Sequence, residues 1–302
     1  MDVLVSGSHG FIAGGLIPRL RSEGHRVLRL VRGAPEGSDD IVWDPDAGTI
    51  DATRLEGIDA VVHLAGAGIG DKKWTPQRKE LILRSRTRGT GLLARTLAEL
   101  RDPPQVMVSG SAVGYYGGRG NELLTEDSGP GDDFTAEVCQ AWEDATGPAE
   151  DAGIRVVHIR SGIVLAAHGG VLDRLLLPFR LGLGGRVGSG RQYMSWISLD
   201  DEVGAIVHAL TADGLHGAVN LTAPNPATNT ELTAALGHAL HRPTVLPTPL
   251  LPLKAIYGDE LVQALLVDGQ RVSSAKLVAS GYRFEHPDLD GALRAALHAQ
   301  AA

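Results

Sequence analysis

The stretch DVLVSGSHGFIAGGLIPRL (residues 2–20), followed by RVLRLV (26–31), decides the fold. Residues 2–6 form a short apolar run that suits a buried strand. Gly7 to Gly10 form a turn. Phe11, Ile12, Leu16 and Leu20 then recur at helical spacing, and Gly24-His25 closes that helix. Residues 26–31 are a second apolar strand. Strand, turn, helix and strand within about 30 residues make a parallel right-handed crossover unit.

The turn carries chemistry. Gly7, Gly10 and Ala13 are spaced as G-x-x-G-x-x-A. Gly7 permits a tight turn out of the strand, Gly10 lets backbone approach a pyrophosphate, and Ala13 lets the helix pack close to the sheet. Amides at the helix start then face the phosphates with partial positive charge. The pattern gains weight from its place after a strand and before a helix. The alternative is a Gly-rich turn without ligand. At the end of the second strand, where an acidic residue would hold a ribose 2′-hydroxyl, the sequence has Arg32. A guanidinium matches a 2′-phosphate in charge and fork geometry, which favours NADP(H) over NAD.

Working outward, the alternation continues. Strands are expected at 59–64, 105–110 and 155–162, with helices around 76–100 and 134–152. Such alternation implies a parallel sheet covered on both faces. The fold expected is α/β: a Rossmann-like doubly wound parallel sheet with a smaller C-terminal α/β substrate lobe. Residues 1–165 form the nucleotide domain, joined by 200–223, which supply a helix and a last strand. Residues 166–199 and 224–302 form the lobe, ending in a helix at 288–299.

Composition limits the function classes. The 302 residues are 43% hydrophobic and 21% charged, with a formal net charge of −8. That balance argues against bulk binding to nucleic acid or to an anionic membrane. No apolar run reaches the roughly 18 residues a transmembrane helix needs. The single cysteine, Cys139, rules out an intrachain disulfide framework and fits the cytoplasm. The histidines lack paired metal spacing, so no metal is expected.

Several segments together resemble the extended short-chain dehydrogenases/reductases, and among them the atypical, epimerase-like branch. These are VSGSHGFIAGGLIPRL (5–20), HLAGAGI (63–69), KKWTPQRKELILRSR (72–86), SGSAVGYYG (109–117), HIRSGIVLAAHGGVL (158–172) and LPFRLGLGGRVGSGRQYMSWISLDD (177–201). NLTAPNPATN (220–229) and LLVDGQRV (265–272) continue the likeness. The resemblance implies NADP binding by Gly7, Gly10, Ile12, Arg32, Leu64, Ala65 and Arg86. Phe11 and Gly66, beside these in sequence, complete the set with Arg160, which ends a strand at the sheet's carboxyl edge. Arg186, Arg191 and Gln192 fall in a stretch like the sugar-nucleotide loop of epimerases and are the substrate candidates. Relatives of this kind pair through two helices, which leaves a homodimer open beside a small-molecule substrate as partner.

The chain departs from a working dehydrogenase at one point. Family members use Ser, Tyr and Lys: the Tyr donates a proton, the Lys lowers its pKa, and the Ser polarises a carbonyl. The serine is present as Ser111. Where Y-x-x-x-K is expected, the sequence reads Phe134-Thr135-Ala136-Glu137-Val138. Tyr115 and Tyr116 follow Ser111 closely and are the surrogate phenols; the alternative is that they merely pack. Glu137, Glu143 and Asp144 are read as surface or capping charges. The function expected is an NADP(H)-binding oxidoreductase or epimerase-like enzyme on a small carbonyl or sugar-nucleotide substrate. The alternative is a non-catalytic NADP(H)-binding sensor or scaffold.

Overall fold

A computed structural model describes residues 1–298. The first half runs β1 (Asp2–Ser6), α1 (Phe11–Ser22), β2 (Arg26–Val31), β3 (Asp40–Asp44), β4 (Thr49–Ile50), β5 (Ala60–His63), α2 (Pro76–Ala98), β6 (Val106–Ala112), β7 (Leu123–Leu124), α3 (Phe134–Asp144), α4 (Gly147–Asp151) and β8 (Arg155–Ser161). The second half runs β9 (Ile163–Leu165), α5 (Gly170–Arg180), β10 (Tyr193–Met194), β11 (Trp196–Ser198), α6 (Leu199–Thr211), β12 (Gly217–Leu221), β13 (Ala227–Thr228), α7 (Asn229–Ala239), α8 (Leu250–Tyr257), α9 (Asp259–Val262), β14 (Arg271–Val272), α10 (Ala275–Ala279) and α11 (Leu289–His298).

The main sheet has eight strands in the order β12-β8-β6-β5-β1-β2-β3-β4. Every pairing is parallel except the β3–β4 hairpin. The order reverses at β1, so the crevice beside it lies at a topological switch point, where open α/β sheets bind ligands. This is the doubly wound, Rossmann-like architecture expected from the alternation.

Both sheet faces are covered, and alternation along the strands sorts their side chains. Val3, Val5, Val106, Val108, Val157 and Ile159 pack on one face with Leu16 and Leu20 of α1 and Ile206 of α6. Leu4, Val61, Met107 and Val156 pack on the other with Leu93 and Leu97 of α2. Gly15 lets α6 approach α1: a Cβ there would sit 3.2 Å from Val203 Cγ2. A separate apolar cluster, including Leu172, Phe179, Trp196, Leu236 and Leu293, holds α5, α7 and α11 together in the C-terminal part.

The structure departs from the sequence expectation at β3 and around α3 and α4. β3 was not anticipated, because its apolar residues are few and flanked by acids. It is pinned by a buried carboxylate: Arg29 Nε and Nη2 donate to Asp40 at 2.7 and 2.9 Å. The Arg29 hydrogen bond holds Asp40 below the usual carboxylate range. The helix expected over 134–152 is two helices, because Pro148 sits in the first turn of α4 and starts it afresh. The helix expected at 288–299 is described as α11 over Leu289–His298, and residue 299 lies outside the described residues. Among the described residues no helix is long and apolar enough to cross a membrane.

One buried acid sets a pH dependence. Glu202 on α6 is fully buried, accepts from Ser161 Oγ through Oε1, and leaves Oε2 without a partner. Burial pushes its pKa up to about 8. The folded state therefore keeps a proton that the unfolded chain gives up near its ordinary value. Stability is undiminished below that value and falls as pH rises toward 8, by at most roughly 1.4 kcal/mol per pH unit. Urea denaturation from pH 5 to 9 should show this slope in the wild type and a flatter one in Glu202→Gln. An identical slope in both would contradict it.

Candidate functional site

The site begins at the turn after β1. Gly7 has φ +68, and a Cβ there would lie 2.8 Å from the Leu64 carbonyl carbon and 2.9 Å from Ala65 N. Only glycine allows this conformation and this contact together. The turn closes through Gly10 N donating to Gly7 O at 2.8 Å. The next bond, Gly14 N to Gly10 O at 2.9 Å, leaves the amides of Phe11, Ile12 and Ala13 with no acceptor among the described residues. By contrast, α2, α3, α6 and α7 are each capped by a side chain, from Thr75, Asp133, Ser198 and Thr228. α1 has no such cap and no acid in its first turn. Ser8 Oγ is buried there without a partner. An uncapped helix start with an unsatisfied hydroxyl beside it is suited to a phosphate. Ile12 packs against the core. The Phe11 side chain rests against Gly169 and Gly170.

A cavity of about 480 Å³ opens next to this turn, lined by Arg32, Ala65, Gly66 and the face of α2 from Gln77 to Arg88. The structure thus brings three of the sequence candidates together. Arg32 makes no hydrogen bond or ion pair among the described residues. Leu64 borders the turn through its backbone.

Arg86 lies behind Gly66. It is 8% exposed, donates to Ala67 O at 2.9 Å and Ile82 O at 3.2 Å, and stacks its guanidinium 4.7 Å from the Trp142 ring. Its Nε has no partner, and no carboxylate pairs with it. Burial lowers its pKa to about 10, so it stays charged at neutral pH. A buried cation with spare donors is costly unless something anionic shares the site.

At the end of β6, Ser111 Oγ donates to Glu143 Oε1 at 2.6 Å. Arg160 grips the same carboxylate with Nε at 2.9 Å and Nη2 at 2.8 Å. This corrects two expectations. Glu143 is not a surface charge: its side chain is 11% exposed and faces a 5% exposed Arg160. Arg160 does not reach toward a cofactor, because its guanidinium is taken up by Glu143, by the Tyr116 hydroxyl at 3.0 Å and by the Tyr115 ring, 3.4 Å from Cζ. Burial works against the Arg160 charge, but the Glu143 carboxylate outweighs it and raises the pKa. Nothing in the local sequence marks Glu143, because its partners come from two other strands.

The two phenols part company here. Tyr116 is fully buried and donates to Asn220 Oδ1 at 2.7 Å, while burial pushes its pKa up. It is a packing residue, and the expectation that it serves as a surrogate acid fails. Tyr115 is half-buried, and its hydroxyl has no partner among the described residues. The α3 register also resolves. Phe134 and Val138 turn into an apolar cluster with Trp74, Ile82 and Leu261. The face toward β6 carries Thr135, which donates to Gly114 O at 3.2 Å, and Cys139, which donates to Ala112 O at 3.7 Å, together with Glu143. Burial pushes the Cys139 thiol up to about 12. Neither face offers a Tyr or a Lys.

The proposed substrate residues are less free than expected. Gln192 is committed, donating to Val187 O at 3.0 Å and Leu266 O at 2.8 Å. Arg186 donates to Gly188 O at 2.6 Å. The Arg191 side chain is exposed and makes no bond among the described residues. The same residues contain no group of three or more His, Cys, Asp or Glu that could hold a metal ion.

Comparison with known proteins fits this geometry. Residues 3–221 match the NAD dependent epimerase/dehydratase family. The chain belongs to this family. Residues 248–296 match a domain of unknown function, DUF1731. Epimerase family protein Mb2239 of Mycobacterium bovis is 42% identical over 291 residues, covering 96% of each chain. The epimerase family protein SDR39U1 of Homo sapiens is 38% identical over 297 residues, covering 97% of this chain and 99% of that one. A crystal structure of the human protein, isoform 2, with NADPH superposes with a TM-score of 0.90 at 36% identity over 99% of both chains.

The Arg160–Glu143 pair gives a stability test. Removing one partner of a buried pair strands the other charge. Glu143→Ala should therefore lose roughly 3–5 kcal/mol by chemical denaturation. Glu143→Gln keeps the volume and one acceptor oxygen but loses the charge and sets an NH2 against Arg160 Nη2, so it should lose most of the same. Equal, small losses in both would mean the pair is solvated in solution.

Proposed function

We propose that this protein binds NADP(H) along the carboxyl edge of its sheet and acts as an oxidoreductase or epimerase-like enzyme on a small carbonyl compound or a sugar nucleotide. The observation that carries the reading is the open, uncapped start of α1 next to an unpaired guanidinium, Arg32, at the end of β2. The amides of Phe11, Ile12 and Ala13 and the Ser8 hydroxyl would hold the pyrophosphate, and Arg32 the 2′-phosphate. Arg86 fits as a further cation on the same ligand, since its Nε lacks a partner. The NADPH-bound human relative supports the choice of nucleotide. The single buried cysteine supports a reducing, cytoplasmic setting.

When bound, the nicotinamide supplies hydride transfer. The chain's own groups define what else is available. Ser111 directs its proton at Glu143, so its oxygen presents lone pairs, suited to accept a hydrogen bond from a substrate hydroxyl. Tyr115 is the phenol left free to exchange a proton near this serine. A second reading has its own support. With Tyr116 locked onto Asn220 and no Tyr or Lys on either face of α3, a nucleotide-binding protein without turnover also fits.

Titration separates these readings. NADPH should bind the wild type more tightly than NADH, and Arg32→Ala should weaken NADPH by about ten- to a hundredfold while sparing NADH. Tighter binding of NADH would overturn the assignment. Reduced-nicotinamide absorbance, followed with aldehydes, ketones and sugar nucleotides, should then reveal turnover that Ser111→Ala and Tyr115→Phe abolish. Tight NADPH binding without turnover on any member would favour the second reading.

A further inference from the structure

Arg32 does not face its cavity alone. Arg84 and Arg88 line the same space from α2. On that helix Gln77, Leu81, Arg84 and Arg88 follow at spacings of four, three and four, so they form one stripe. Its first turns carry Leu81, 51% exposed, which with Ala65 and Pro45 gives apolar ground suited to a purine ring. Its later turns carry the two guanidinium groups.

The partners of these arginines are weakly held. Arg88 Nη1 lies 3.3 Å from Asp46, and that pair is 44% and 79% exposed. Arg84 pairs with Glu80 one turn earlier on the helix, both about half exposed. Pairs this open to water contribute little and exchange readily. Three arginines against two carboxylates leave the cavity net positive, with Arg32 unpaired. A ribose 2′-hydroxyl gives such a cavity nothing to neutralise. A phosphate dianion does.

We propose that Arg84 and Arg88 join Arg32 in a clamp on the 2′-phosphate, with Arg88 exchanging Asp46 for that phosphate. The preference for NADPH over NADH is then set from α2 as well as from the end of β2. The inference rests on the nucleotide-binding reading above and deepens it. Asp46 acts as a stand-in anion that holds Arg88 in place until the phosphate arrives.

The test is a fluorescence titration of the full chain with NADPH and, separately, NADH. Arg84→Gln and Arg88→Gln keep most of each stem and act at half-exposed positions. Each should weaken NADPH by about three- to tenfold and leave NADH unchanged, and the double variant should lose more than either. Asp46→Asn should tighten NADPH a few-fold. The wild-type NADPH affinity should also fall more steeply with added salt than that of the double variant. If the double variant keeps the wild-type NADPH preference, the clamp is wrong while the binding reading stands. If both nucleotides weaken equally, the arginines shape the adenine wall and the clamp is again wrong. If the wild type binds neither nucleotide, both readings fall together.

Discussion

The contact between Gly7 and the Leu64–Ala65 backbone is the constraint on which the rest depends. A chain with any side chain at residue 7 could not bring β1's exit turn within 2.8 Å of the end of β5. That closeness points the start of α1 along the carboxyl edge, at the place where strand order reverses. The Gly10 carbonyl is used by the helix, and three amides are left facing outward. The missing cap is a local cost in stability, typically about 1 kcal/mol. It makes sense where a ligand supplies the acceptors.

A second constraint holds the middle of the edge. Glu143, Arg160, Ser111, Tyr116 and Asn220 form one connected set of hydrogen bonds linking α3, β6, β8 and β12. Asn220 extends it by donating Nδ2 to Ser273 O at 3.1 Å, which ties in the segment after β14. A buried ion pair of this kind adds little net stability, but it fixes geometry. Here it fixes which way the Ser111 proton points. The family serine is kept, and its electrostatic surroundings are those of a serine bound to a carboxylate.

Much of the fold was legible because the deciding signals are local. The β1–α1–β2 unit is contiguous, its strands are apolar, and its glycines sit at the turn. Arg32 was readable for the same reason, being the residue that follows β2. β3 was not readable, because its stability comes from the Arg29–Asp40 ion pair and from Trp43 packing edge-on to His63. Glu143 looked like any helix-face acid, since Ser111 and Arg160 lie 32 and 17 residues away. Tyr115 and Tyr116 are neighbours in sequence with opposite fates, one stacked on a guanidinium and one sealed in the core. Which face of α3 meets the edge depends on a one-residue rotation. The expected Y-x-x-x-K register falls on Phe134 and Val138, whereas packing with Trp74 and Leu261 draws those two away and turns Thr135 and Cys139 inward.

The most direct test of the phosphate-binding claim is a crystal structure of the chain grown with NADPH. Pyrophosphate density should lie against the amides of Phe11, Ile12 and Ala13, with the 2′-phosphate in the cavity beside Arg32. Ordered nucleotide elsewhere on the protein would contradict it. So would a crystal from saturating NADPH in which a side chain or carbonyl caps α1 and the loop at Gly7–Gly10 holds no phosphate.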